Sequence, residues 1–345
     1  MLTGTYTALI TPFGKDGRVD PEGLERLVGY QKENGAGGLL VAGTTGETPA
    51  LGHEEYERLL MEFIGACGCG VGTVASCGKN NFDDALRSSK LASELGYDSI
   101  LLVDPYYNGP SSMEIRREYI EPIAETLPGM RFVPYVIPGR TGTQLLPQDI
   151  AILHRDHQNV DSVKEATGNM DNMKLTRKLC GSSFSIMSGD DSLTLRMMAD
   201  STIAANGVIS VMSNIFPRHV SEMVRAMAGG NRERAEKLGS MLSPWFEAVT
   251  IRVEEDGPFG RTVQRFRNPQ AVKTAMSLFG MPSGGCRRPL GRLSAGALER
   301  LISIARETLE ESPELLEPIE EMFGVDIASR LADRELHRGL CYAAD

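Results

Sequence analysis

Residues 5–17 read TYTALITPFGKDG, a β-branched apolar run that ends in Pro12-Phe13 and a short polar turn closed by Gly17. Such a run is a strand candidate, and the turn after it discriminates between two folds. An open doubly wound sheet that holds a nucleotide carries a glycine-rich phosphate loop after its first strand, GxGxxG or GxxxxGK[ST]. TPFGKDG is neither. A closed barrel needs no such loop, so this turn favours a barrel and leaves the open sheet as the alternative.

Beyond that run, the same unit recurs through the first 215 residues. Strand candidates fall at 5–13, 38–43, 71–77, 99–103, 131–137, 161–164, 184–188 and 207–212, eight in all. Amphipathic stretches separate them, with helical spacing in Leu24, Leu27, Val28 and in Tyr56, Leu59, Leu60, Phe63. Asp20-Pro21 suits an N-cap with proline in the first turn, and Gly35 and Gly96 suit helix stops. Strict β-α alternation implies a parallel sheet with right-handed crossovers, and eight units close as a (β/α)₈ barrel. The expected class is therefore α/β, a TIM barrel followed by a C-terminal helical domain. The expected divisions are a catalytic barrel at 1–220, a helical domain at 221–311 and an extra acidic tail at 312–345. Helices are expected at 221–228, 232–248, 269–278 and 295–308, with a long polar loop at 254–267. In the tail, Leu315, Leu316, Ile319 and Phe323 predict an amphipathic helix that Pro318 would kink or restart.

Composition narrows the function classes. The chain has 345 residues, 41% hydrophobic and 24% charged, which is ordinary for a globular protein. The net charge is −10 and no basic stripe is present, so nucleic acid is not expected as a partner. No window approaches the roughly 18 apolar residues of a membrane span, and the N-terminus lacks the features of a signal peptide. A cytoplasmic enzyme is expected. The six cysteines form no CxxC pair and read as reduced thiols. His154 and His157 share a helix face without a third ligand, so no metal site is expected.

In a barrel the chemistry belongs at the C-terminal strand ends. These ends carry Thr44-Thr45, Tyr107, Tyr135, Arg140, Lys164 and Gly189-Asp190-Asp191. Ser162, Lys164 and Ala166 alternate onto one face of the sixth strand. A free lysine titrates near ~10.4 and is not nucleophilic at neutral pH, whereas a desolvated one is. A strand-end lysine more often snorkels to solvent. The neighbouring hydroxyls change that balance, because carbinolamine chemistry needs proton transfers to and from oxygen. Arg140, in a loop bounded by proline and glycine, offers a fork for a carboxylate.

The segments GTTGE (43–47), DPYYN (104–108), PGRTG (138–142), KEATG (164–168), SGDD (188–191) and GVISV (207–211) occur in order. Together they resemble the dihydrodipicolinate synthase / N-acetylneuraminate lyase family of class I aldolases over about residues 3–311. The resemblance implies a homotetramer or homodimer, no cofactor, and a covalent Schiff base between pyruvate and Lys164. GTTGE with PGRTG is more similar to the synthases, which condense pyruvate with aspartate 4-semialdehyde in lysine (diaminopimelate) biosynthesis. By that likeness Thr44, Tyr107 and Tyr135 form a proton relay, with Tyr107 supplied by a neighbouring subunit. Thr45 would bind the pyruvate carboxylate and Arg140 the acceptor carboxylate, while Gly189 and Ile209 line the site. Another pyruvate aldolase of the family, such as a 2-keto-3-deoxy sugar-acid aldolase or a hydratase-aldolase, is the alternative reading. A non-catalytic metabolite-binding barrel is the alternative of another class.

The chain departs from the synthase pattern at Val136, where asparagine is usual, and at ASCGKNN (75–81). The 254–267 segment is longer than the usual connection, and 312–345 has no counterpart. Some synthases are inhibited by lysine at a dimer interface. The positions matching that site are His53, Tyr56, Asn80, Asp84 and Tyr106, with Tyr56 replacing a usual histidine and Asp84 a usual glutamate. A surface histidine at a helix start accounts for His53 equally well.

Overall fold

The computed structural model describes residues 1–342. Eight parallel strands close into a barrel: β1 (Gly4–Ala8), β2 (Gly38–Val41), β3 (Gly72–Ser76), β4 (Ser99–Val103), β5 (Arg131–Val136), β6 (Ser162–Glu165), β7 (Ser185–Ser188) and β8 (Gly207–Ser210). Closure comes from β1 pairing with β8, Tyr6 opposite Ile209. All eight expected strands are present and the open-sheet alternative is excluded.

The first strand is shorter than expected. Beyond Ala8 the chain leaves the ladder: Leu9 N still donates to Leu40 O, but Ile10 N donates to Asn214 Oδ1 at 2.9 Å. The apolar run continues because residues 9–13 stay buried, not because they pair as strand. The first helix begins as its sequence implies. Asp20 caps Pro21–Glu33 by accepting from Gly23 N at 3.0 Å.

Side chains alternate between two apolar compartments. Ala8, Leu40, Val74, Leu101, Val133, Tyr135, Met187 and Ile209 fill the barrel interior. A larger core between strands and helices holds Leu39, Ile100, Phe132, Val163 and Ile186 from the opposite strand faces. A filled interior leaves room for chemistry only above the upper ends of the strands.

After β8 come helices Pro217–Ala228 and Arg232–Ala248, then an element that the sequence pattern did not reveal. Residues 254–267, expected as a loop, belong to an antiparallel hairpin of β9 (Thr250–Gly257) and β10 (Gly260–Arg267). The period-two signal was present in Ile251, Val253 and Phe266. It was masked because the other face is charged and the strands meet no sheet in the barrel. Helices Gln270–Leu278 and Ala295–Glu311 come next.

In the tail, Pro318 restarts the chain as helix Glu317–Phe323 after a short 3₁₀ turn, and Leu315, Leu316, Ile319 and Phe323 are all buried. The tail packs on the body. Phe323 meets Tyr30 with ring centroids 5.2 Å apart, and Arg330 donates to the carbonyls of Ser277 and Leu278 at 2.8 Å. Both carbonyls lie in the last turn of a helix, where intrahelical partners run out. No helix is long and apolar enough to cross a membrane among the described residues.

Candidate active site

Lys164 lies on β6 directly beside Tyr135 on β5, and its Nζ stands 4.1 Å from the Tyr135 ring centroid. Alternation along β6 is as expected. Val163 joins the outer core, and Glu165 faces outward to accept from Thr167 N and Asn172 Nδ2. Lys164 points into the mouth of the barrel and is 5% exposed. Among the described residues no carboxylate lies within ion-pair distance of its amine. Burial therefore lowers its affinity for a proton to a pKa of about 7, against a smaller opposing pull from Asp191 and a small further push down from Arg140. The neutral form of such an amine is therefore accessible near neutral pH.

A cavity of about 420 Å³ opens above Lys164, lined by Thr44, Thr45, Tyr135, Arg140, Gly189 and Asp190 among others. Six of the expected residues thus meet in one place: Thr44, Thr45, Tyr135, Arg140, Lys164 and Gly189. Thr44 and the Tyr135 phenol share the cavity wall, and burial raises the phenol pKa to about 12. Gly189 is required sterically. A Cβ there would stand 2.8 Å from Ala166 Cβ and 3.3 Å from Lys164 Cγ, displacing the Lys164 side chain.

Two expected residues lie elsewhere. Ile209 is fully buried in the barrel interior beside Tyr135 and does not line the cavity. Tyr107 is 93% exposed, on backbone with φ of 79°. Its side chain turns to solvent, away from this subunit's own cavity.

The positions matched to a lysine-binding site gather around a second cavity of about 360 Å³, which Thr44, Tyr135 and Arg140 also border. His53, Tyr56 and Tyr106 line it; Asn80 Oδ1 accepts from Tyr106 N at 2.7 Å. Asp84 bonds Arg87, which reaches His53 Nδ1 at 3.1 Å. Lys79, whose Nζ sits 3.9 Å over the Tyr56 ring, lines the cavity too.

These features find their counterpart in known proteins. The model of the dihydrodipicolinate synthetase family matches residues 1–308. The chain belongs to this family. It is 38% identical over 307 residues to the 4-hydroxy-tetrahydrodipicolinate synthase of Citrifermentans bemidjiense, covering 89% of this chain and 99% of that one. It is 36% identical over 301 residues to the synthase of that name from Syntrophus aciditrophicus, covering 87% and 96%. The solved 4-hydroxy-tetrahydrodipicolinate synthase of Methylacidiphilum fumariolicum SolV superposes with a TM-score of 0.81 at 34% identity, over 94% of this chain and 100% of the other. The dihydrodipicolinate synthase from Aquifex aeolicus gives 0.80 at 35%, over 90% and 98%. The chain is a class I aldolase-type lyase, as family membership requires.

The structure adds residues that motif reading did not find in this family member. Asn268 Nδ2 donates to Thr45 Oγ1 at 2.9 Å, and Arg140 Nη2 donates to Asn268 O at 3.1 Å. Glu47, four residues after Gly43 and in the left-handed region at φ 58°, accepts from Lys273 Nζ and Arg287 N, each at 2.8 Å. The threonine loop is thereby clamped by segments more than 220 residues away in sequence. One signal was available: Lys273 interrupts the apolar face of Ala271, Val272, Ala275 and Met276. Asp191, which the sequence placed at a strand end without a role, also borders Lys164. Its Oδ2 accepts from Val211 N and Met212 N, yet burial outweighs those bonds and raises its pKa to about 6. Among the described residues no group of three His, Cys, Asp or Glu side chains converges as a metal site would need.

Proposed function

We propose that Lys164 forms a Schiff base with pyruvate and that the resulting enamine condenses with aspartate 4-semialdehyde to give 4-hydroxy-tetrahydrodipicolinate. The observation that carries this reading is the buried, unpaired Lys164 amine beside Tyr135 at the floor of a cavity that also presents Arg140. The neutral amine attacks the carbonyl carbon of pyruvate and a C–N bond forms. The carbonyl oxygen gains protons through the Tyr135 phenol, with Thr44 on the same cavity wall, and leaves as water. The iminium that remains keeps a positive charge, which ionised Asp191 favours. Loss of a methyl proton gives the enamine, whose carbon attacks the aldehyde carbon while the aldehyde oxygen takes up a proton. The amine of the condensed product then displaces Lys164 and closes the ring, returning the lysine free.

In this reading Thr45 holds the pyruvate carboxylate and Arg140 that of the acceptor, and no cofactor or metal takes part. The exposure of Tyr107 supports a role across a subunit boundary, in a homotetramer or homodimer working in the cytoplasm. The decisive experiment is borohydride reduction with pyruvate, then peptide mapping by mass spectrometry. A reduced-pyruvate adduct on Lys164 is expected; an unmodified Lys164 overturns the mechanism. Turnover with aspartate 4-semialdehyde, compared with that of other aldehydes, tests the acceptor.

A further inference from the structure

The hairpin pairs Arg265 with Arg252 and Arg267 with Thr250 directly across its strands. Alternation places Arg252, Arg265 and Arg267 on one face and Ile251, Val253 and Phe266 on the other. The apolar face is pinned to the body, since Ile251 is buried and Val253 and Phe266 pack on the core. The charged face is left to the barrel mouth, where Arg265 and Arg267 line the Lys164 cavity together with Arg140.

This is a costly arrangement for the protein alone. Like charges directly opposed across strands weaken a hairpin. Among the described residues none of Arg140, Arg252, Arg265 and Arg267 has a carboxylate at ion-pair distance, whereas Arg261 of the same face is paired with Asp256 at 2.9 Å. Arg140 and Arg267 each spend a donor on a backbone carbonyl, at 3.1 and 3.4 Å, and among the described residues the Arg265 side chain makes no hydrogen bond. The three acids on the same cavity, Asp190, Asp191 and Glu247, come from other elements; Asp190 is engaged by Ser192 and Asp191 by the Val211 and Met212 amides. Three guanidinium groups around one opening, with donors unspent, suit an anionic ligand.

We propose that Arg265 and Arg267 form a second anion contact beside Arg140, which selects an acceptor aldehyde bearing a carboxylate. The proposal rests on the reading that this cavity takes pyruvate and an aldehyde acceptor. The hairpin then does more than extend a connection: it sets acceptor preference and steers the anion to the mouth.

The test is steady-state kinetics of Arg265→Ala/Arg267→Ala with pyruvate and three acceptors: aspartate 4-semialdehyde, succinate semialdehyde and uncharged propanal. The KM for a carboxylated acceptor is expected to rise by roughly tenfold, as loss of a charge-assisted contact implies. The KM for pyruvate and the borohydride-trapped Lys164 adduct are expected to stay as in the wild type. The ionic-strength dependence of kcat/KM should flatten, the double lysine variant should restore part of it, and Arg261→Ala should change nothing. An unaltered ratio of carboxylated to neutral acceptor in the double alanine variant overturns the proposal. If the wild type ignores aspartate 4-semialdehyde but uses succinate semialdehyde, the acceptor assignment fails while the hairpin is tested on the latter. A wild type that prefers propanal to both overturns the hairpin proposal directly.

Discussion

Lys273 Nζ lies 2.8 Å from Glu47 Oε1, with both side chains 1% exposed, and this pair ties the threonine loop of the site to a helix 226 residues further on. Thr11 O and Gly285 O accept from the same ammonium at 3.0 Å, and the Phe13 ring centroid is 4.1 Å away. Every donor of the lysine is therefore used, which is the condition under which a buried pair is tolerated.

Removing one partner leaves the other charge buried alone. Lys273→Met is expected to destabilise the fold by about 3–5 kcal/mol, and Glu47→Gln with Lys273→Met to recover part of that loss. Urea unfolding of the single and the double variant checks it. A single variant within about 0.5 kcal/mol of the wild type would show that the pair carries no structural weight.

The rate of pyruvate adduct formation should track the free amine of Lys164. It is expected to rise with an apparent pKa near 7, the position to which burial brings this group. Asp191→Asn removes the charge that holds the proton on, so the profile should move to lower pH. Stability depends on the same group. The folded amine binds its proton less tightly than the unfolded one, so this site adds stability as pH rises from about 7 to 10.5. Stopped-flow or quench trapping across that range gives the profile.

Tyr135→Phe removes the phenol hydroxyl while keeping the ring under Lys164. Catalysis is expected to fall by about 10²-fold or more, as loss of a positioned proton-transfer group implies, with pyruvate binding less affected. Equal losses in kcat and in pyruvate affinity would assign Tyr135 a packing role instead.

The second cavity already holds an amine of its own, that of Lys79 over Tyr56, with Arg87 against His53. A free lysine would bring a further ammonium into that space against like charge. Millimolar lysine is therefore expected to leave the initial rate unchanged, and Lys79→Ser to make the enzyme more sensitive. Inhibition of the wild type at those concentrations would refute this.

Deleting residues 312–345 uncovers the surfaces that Leu315, Leu316, Ile319, Phe323, Ile327 and Leu331 bury. Tm is expected to drop by about 5 °C or more, since one buried aliphatic side chain is worth ~1.5–3 kcal/mol. Calorimetry on the truncated chain is the check.

The barrel and the lysine in its mouth were legible locally. Period-two and period-3.6 patterns, helix stops such as Gly35, and a lysine alternating inward with Ser162 are short-range signals, written within one strand or one helix. Motif order then brought Thr44, Tyr135, Arg140 and Gly189 to the same strand ends. Other features depend on neighbours far apart in the chain and emerged only on folding. Whether 250–267 is loop or hairpin turned on burial of Ile251 and Phe266 against the body, and the direction of its arginines on that same docking. Glu47 and Lys273 could not be matched from sequence, because a buried charge declares its partner only once the fold removes water from both. Local pattern was enough to specify a (β/α)₈ barrel with Lys164 in its mouth; long-range packing set how that lysine loses its proton and what charge guards its entrance.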